Sequence, residues 1–167
     1  MKREKYRKAK FLENFPLQKL RFRKAVFVVV YSNVKDKIEY LILKRKKHWV
    51  GWEFPKGGVE FFETRNHAVK REVKEETGLK ILKIKKFKVY GKYDYDKKYS
   101  DRKGLVGQDF LLYATEVEKN KVVIDKREHS DFKWMNFKDA EKKLTWKNQK
   151  KCLKIVNDYL ENEISRI

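Results

Sequence analysis

The stretch PKGGVEFFETRNHAVKREVKEETGL, residues 55–79, decides how the rest of the chain is read. A helix turns every 3.6 residues, so spacings of three and four bring Glu72, Glu75 and Glu76 onto one face. Three like charges in one patch repel, and the arrangement costs helix stability unless a cation neutralises it. An all-oxygen donor set of this kind suits a hard divalent ion such as magnesium or manganese. Thr64 is placed to cap the helix and Gly78 to end it, which predicts a helix from about Arg65 to about Thr77. Val69 and Val73 make its apolar stripe, with Lys70 and Lys74 in solvent. Gly57 and Gly58 let the backbone turn sharply and approach an ion or ligand, and Pro55 fixes the entry. An ordinary charged surface helix accounts for clustered glutamates, but not for the arginine, the glycines and the spacing together.

Upstream, residues 20–32 contain the β-branched run AVFVVVY and read as a buried strand. Asn33 to Lys37 is a turn into a second strand over Glu39 to Lys44. The basic and aromatic segment KRKKHWVGWEFPKGG then leads into the glycines. Lys56, one residue before Gly57, is a candidate contact for phosphate oxygens. Trp52 and Phe54 alternate with Glu53 along a short strand and are expected to pack beneath the loop, with Trp49 exposed. His48 and His67 lack the partners of metal ligands and read as solvated.

Downstream, Lys80 to Tyr93 is a long strand, followed by YDYDKKYSDRKG. That segment suits a lid over an open site or, equally, a mobile hairpin tip. Aromatic faces stack on bases and lysines bind phosphates, so Tyr93, Tyr95 and Lys103 are candidate substrate groups. Leu105 to Val117 is a further strand, with Phe110, Leu112 and Ala114 on one face and Asp109, Leu111 and Tyr113 on the other. Asp131 to Met135 is the last strand. Asn136 caps a short helix to about Lys143, and Thr145 is expected to cap a final one whose stripe is Cys152, Ile155, Val156, Tyr159 and Leu160.

Length fits one domain: a basic arm over residues 1–19, either flexible or a short docked helix, then a single unit over 20–167. One cysteine excludes an intrachain disulfide and a Cys-built zinc site. No run reaches the length of a membrane span and no secretory signal is evident, which makes a reducing, cytoplasmic setting the expectation. The net charge of +20 favours encounter with polyphosphates or RNA. Lysine far outnumbers arginine and is spread over the whole chain, however, as compositional bias or a heat-adapted surface would also make it.

Gly57, Glu63 and the run Arg71-Glu72-Val73-Lys74-Glu75-Glu76-Thr77-Gly78-Leu79 occupy every fixed position of the box that defines the Nudix hydrolases, and the chain resembles that family over about Lys24 to Leu160. The resemblance implies an α+β fold with a mixed β-sheet sandwiched between α-helices. It implies water attack on a diphosphate bond, with metal held by Glu72, Glu75, Glu76 and the Gly57 carbonyl. Arg71 would orient the glutamates through Glu63. Glu72 is one candidate base; Glu128, in EHSDFKW, is the other or a further metal ligand. WEFPKGG, EHSDFKW and LTW look like the asymmetric diadenosine tetraphosphate hydrolases, and GLVGQDFLLY like the RNA pyrophosphohydrolases. Gly58 departs from the first pattern, which usually has His there, as does Phe132, where an adenine-stacking Tyr is common. The first expected substrate is a dinucleoside polyphosphate such as diadenosine tetraphosphate, its base clamped by Tyr93 or Tyr95 and Phe132. The alternatives are RNA 5′ pyrophosphate removal or decapping, and a non-catalytic RNA-binding module.

Overall fold

A computed structural model describes residues 21–35 and 37–166; the basic arm over 1–19 lies outside them. Strand β1, Phe22–Val34, is buried without a break from Ala25 to Ser32. A continuous β-branched run of this kind has no solvated side and needs cover on both faces. Successive side chains point to opposite layers: Ala25, Phe27, Val29 and Tyr31 join one core, Val26, Val28 and Val30 the other.

The remaining strands are β2 (Lys37–Arg45), β3 (Gly51–Glu53), β4 (Lys56–Gly58), β5 (Ile81–Asp94), β6 (Gly107–Val117) and β7 (His129–Met135). The sheet runs β3-β2-β1-β6-β5, with β4 paired to β1 and β7 to β2. It is mixed: β1 and β6 run parallel from Phe22 opposite Gly107 to Tyr31 opposite Glu116, and the other pairs are antiparallel.

Helix α1, Arg65–Thr77, covers one face through Ala68, Val69 and Val73. Helices α2 (Phe137–Lys143) and α3 (Lys147–Ile164) cover the other through Ala140, Leu144, Cys152, Leu153, Val156 and Leu160. The result is the expected α+β sandwich. No helix among the described residues is long and apolar enough to cross a membrane.

Two expectations near the end of the chain need correction. Trp146, not Thr145, stands at the N-cap of α3 and makes no side-chain cap; the Thr145 hydroxyl instead accepts the Trp52 N–H at 2.9 Å, tying the helix entry to β3. The apolar stripe of α3 is also turned slightly from the expected one. Leu153 is buried and Ile155 is 37% exposed, because the helix meets the sheet through Cys152, Leu153, Val156 and Leu160.

What positions the site is the edge of β1. β2 pairs with its end, Val30 to Val34, and β4 with its beginning, Ala25 to Phe27. Between them Val28 donates to the Pro55 carbonyl at 2.9 Å. The neighbours of β1 change over here, and the cleft opens beside the end of β2 and along β4.

Candidate active site

The helix that carries the carboxylates is fixed at both ends by local chemistry. The Thr64 hydroxyl accepts the His67 N–H at 3.2 Å, and Gly78, at φ +70°, donates to the Lys74 carbonyl at 2.9 Å. Glu72 and Glu76, one turn apart, are buried against the sheet, while the Glu75 side chain remains 57% exposed at the rim.

Arg71 binds this face together. Its Nε and Nη2 donate to the two Glu63 oxygens at 2.9 and 2.8 Å, and Nη2 also to the Gly58 carbonyl at 2.8 Å. Its Nη1 donates to Glu72 at 2.7 Å and Glu75 at 3.3 Å. The Glu63 hydrogen bonds hold the guanidinium charged more firmly than usual. Gly57 passes so close to the Glu72 carboxylate that a Cβ there would overlap it.

Beneath the carboxylates lies a buried charge network. Lys56 Nζ is 2.8 Å from Glu53, whose side chain is wholly buried. Arg45, also buried, reaches Glu53 at 3.4 Å, Glu76 at 3.9 Å and Glu128 at 2.7 Å. His129 Nε2 lies 3.4 Å from Glu53. Burial pushes the Glu53 carboxyl up, but Lys56, the His129 hydrogen bond and Arg45 outweigh it and hold it at about 2. Glu128 follows the same pattern, held below the usual range because Arg45 and Lys47 outweigh its burial.

The helix carboxylates go the other way. Burial, only partly offset by Arg71, raises Glu72 to about 6, and burial with repulsion from Glu72 and Glu53 raises Glu76 well above the ordinary value. These are anions short of positive charge in a place built of oxygen donors. That fits a hard divalent cation, and Glu72, Glu76, Glu75 and the Gly57 carbonyl are the donors available to it. Among the described residues no three carboxylates, histidines or cysteines converge on one point; Arg71 lies 2.7 Å from Glu72 and Arg45 3.9 Å from Glu76.

A cleft of about 270 Å³ opens over this arrangement. It brings together Lys56, Gly57, Arg71, Glu72, Glu75, Glu76 and Glu128 of the residues singled out from sequence; Glu63 stands behind Arg71. The other four candidates do not line it. Tyr93 is half-buried in the core with its ring 6.2 Å from that of Phe27, and Phe132 packs into the opposite core, paired across from Leu43. Tyr95 donates to Gln108 at 3.4 Å and stands behind Arg102. Lys103 is exposed just past the short 3-10 helix Ser100–Arg102.

The cleft wall is completed by groups that the sequence reading passed over: Arg23, Arg45, Lys47, Arg102, Gln108 and Arg127. The Arg102 guanidinium sits 4.8 Å from the Tyr95 ring and 5.3 Å from that of Tyr99. His48 is not solvated as expected. Its ring lies 4.4 Å from Tyr99 and its Nε2 3.3 Å from Asp101, so it joins the 95–105 segment to the end of β2. A signal for Arg45 was present: Leu41, Leu43 and Arg45 alternate onto one side of β2, so the third member belongs inside with the other two.

The family model of the NUDIX domain matches residues 21–154. The chain is 32% identical over 129 residues to the RNA pyrophosphohydrolase of a Nitratiruptor species, spanning 74% of this chain and 83% of that one. It is 46% identical over 72 residues to the 8-oxo-dGTP diphosphatase of Buchnera aphidicola subsp. Schizaphis graminum, 42% of this chain and 55% of the relative. Its fold is similar to that of a C. elegans Ap4A hydrolase, with a TM-score of 0.69 at 23% identity over 84% of this chain and 98% of that one.

Proposed function

The chain belongs to the Nudix hydrolase family, and from that premise we propose that this pyrophosphohydrolase acts on the 5′ polyphosphate end of RNA. The observation that carries the reading is the make-up of the cleft wall. Arg23, Lys47, Arg102 and Arg127 line it, while Tyr93 and Phe132, two of the three aromatics expected to clamp a base, are packed into the two cores, and only Tyr95 stands near the cleft beside Arg102. Basic side chains along the wall, of which Lys47 pairs with Asp101 and Glu128 and Arg127 with Asp125, suit a substrate held by its phosphates. The similarity to an RNA pyrophosphohydrolase over most of both chains supports the same substrate.

Glu72, Glu75, Glu76 and the Gly57 carbonyl are assigned to a divalent ion, magnesium or manganese, which when bound offsets charge on the bridging and leaving oxygens of the diphosphate. Arg71 fixes the directions of Glu72 and Glu75 through its clamp on Glu63 and Gly58. Glu128, held at the cleft by Arg45 and Lys47, takes the proton of the attacking water; Glu72 is the alternative base in this proposal. With all three helix glutamates in place, a non-catalytic RNA-binding role is set aside. The basic arm over 1–19 and a cytoplasmic location belong to the same proposal.

A second reading, a dinucleoside polyphosphate such as diadenosine tetraphosphate, draws on Tyr95 and Tyr99, whose rings flank Arg102 at the cleft edge. A panel of triphosphorylated oligoribonucleotide, diadenosine tetraphosphate and a nucleoside diphosphate sugar, each with magnesium, separates the two. The RNA should give the highest kcat/KM. A higher value for the dinucleotide would replace the first reading with the second.

A further inference from the structure

Two phenylalanines beside the cleft contribute nothing to either core. Phe61 and Phe62 are 88% and 96% exposed, with ring centroids 4.2 Å apart and planes inclined at 59°. A single exposed apolar side chain is ordinary, but an adjacent aromatic pair left almost wholly in water forgoes the burial of both rings.

The backbone beneath them is also unusual. Glu63 donates to the Glu60 carbonyl at 3.1 Å, closing a turn whose third residue, Phe62, stands at φ +65°. Glycine or asparagine is the usual occupant of such a position, and a bulky side chain is strained there. The turn is nevertheless held firmly. Val59 donates to the Lys24 carbonyl at 2.8 Å and Glu60 to the Glu63 carboxylate at 2.9 Å. That same carboxylate grips Arg71 with two hydrogen bonds, at 2.9 and 2.8 Å. The rings are thus presented on a pinned base, one side chain away from an arginine of the cleft wall.

We propose that Phe61 and Phe62 form a stacking platform for an unpaired nucleobase of single-stranded RNA whose 5′ polyphosphate lies in the cleft, a proposal that rests on the substrate assigned above. Aromatic faces accept any base, so the platform is tolerant of sequence. The surroundings favour this occupant over an apolar one. The neighbouring residues Glu60, Glu63, Thr64 and Arg65 are charged or polar, the two carboxylates both turned to Arg71 at 4.0 and 2.8 Å, which leaves two rings rather than a broad apolar face. Arg23, packed beside Gly58, and Arg71 line the cleft next to the loop, and the +20 chain attracts a polyanion.

The test is equilibrium binding of a short fluorescent oligoribonucleotide with a 5′ hydroxyl, followed by anisotropy in metal-free buffer, so that no turnover is required. Phe61→Ala with Phe62→Ala should weaken binding about 5- to 150-fold, the range of one lost stacked base. Replacing both by Leu, which keeps apolar bulk and loses the aromatic face, should weaken it similarly. Phe62→Gly should raise Tm by relieving the strained φ and still weaken binding, an opposition that a merely structural role would not produce. Unchanged RNA affinity in the alanine variant, or full affinity in the leucine variant, overturns the platform. If the variants lose RNA binding while the wild type fails to hydrolyse triphosphorylated RNA, the platform stands and the substrate assignment falls.

Discussion

Arg45 Nη1 lies 2.7 Å from Glu128 Oε2, and through that contact the end of β2 and the loop before β7 share one buried cation. The same guanidinium faces Glu53 and Glu76. Removing it leaves buried carboxylates uncompensated. Arg45→Met should therefore destabilise the fold by about 3–5 kcal/mol, the usual cost of breaking a buried pair from one side. Urea denaturation measures it, and a loss below about 1 kcal/mol would mean that Lys56 and His129 suffice to hold Glu53.

Glu76 presents the opposite case. Its folded pKa is raised by burial and by repulsion from Glu72, so the folded state binds its proton more readily than the unfolded chain does. The stability this contributes is present below the unfolded value and is lost as pH rises through the folded one. In chelator, Glu76→Gln should melt above the wild type at about pH 8, and the two should converge only below about pH 4. With magnesium restored, the same variant should have lost nearly all hydrolysis. Activity equal to wild type would remove Glu76 from the metal site.

Gly57→Ala tests closeness rather than charge. A Cβ would overlap the Glu72 carboxylate and force it aside while leaving β4 paired to β1. Misplacement of this kind costs on the order of 100-fold in kcat/KM. The circular dichroism spectrum should not change. A variant with normal kinetics would show that Glu72 need not lie against the loop.

The arm over 1–19 is tested by deletion. If it recruits RNA, its loss should weaken RNA binding and flatten the dependence of log K on log salt, since fewer counterions are released. Hydrolysis of diadenosine tetraphosphate should change little, because a small dinucleotide has few phosphates for the arm to neutralise. Equal RNA affinity with and without the arm would return the positive charge to compositional bias.

The parts of this molecule that were legible in the sequence are those whose causes are local. Thr64 and Gly78 bound α1 because caps act within a turn, and the alternation of Phe110, Leu112 and Ala114 against Leu111 and Tyr113 places β6 between two layers. That Glu72 and Glu76 share a face follows from spacing alone. What lies beneath them does not. Arg45, Glu53 and Lys56 meet only because β3 pairs with β2 and β4 with β1, and in the sequence all three sit inside the one basic and aromatic segment KRKKHWVGWEFPKGG. Tyr93 and Phe132 show the converse: aromatics near a site in sequence were taken by the cores, where strand pairing turned them inward.

The parallel pairing of β1 with β6 has a kinetic corollary. It joins Phe22 to Gly107 and Tyr31 to Glu116, and the entire carboxylate helix lies within the loop of chain that this pairing closes. Contacts so distant in sequence form late, because the entropy of closing the loop must be met before they contribute. A chain that has made α1 and the β1–β2 hairpin therefore holds its acidic residues on a helix with neither Gln108 nor the 95–105 segment in place opposite them. Refolding followed by tryptophan fluorescence and by recovery of hydrolysis should consequently give the same slow phase, with no active species preceding it.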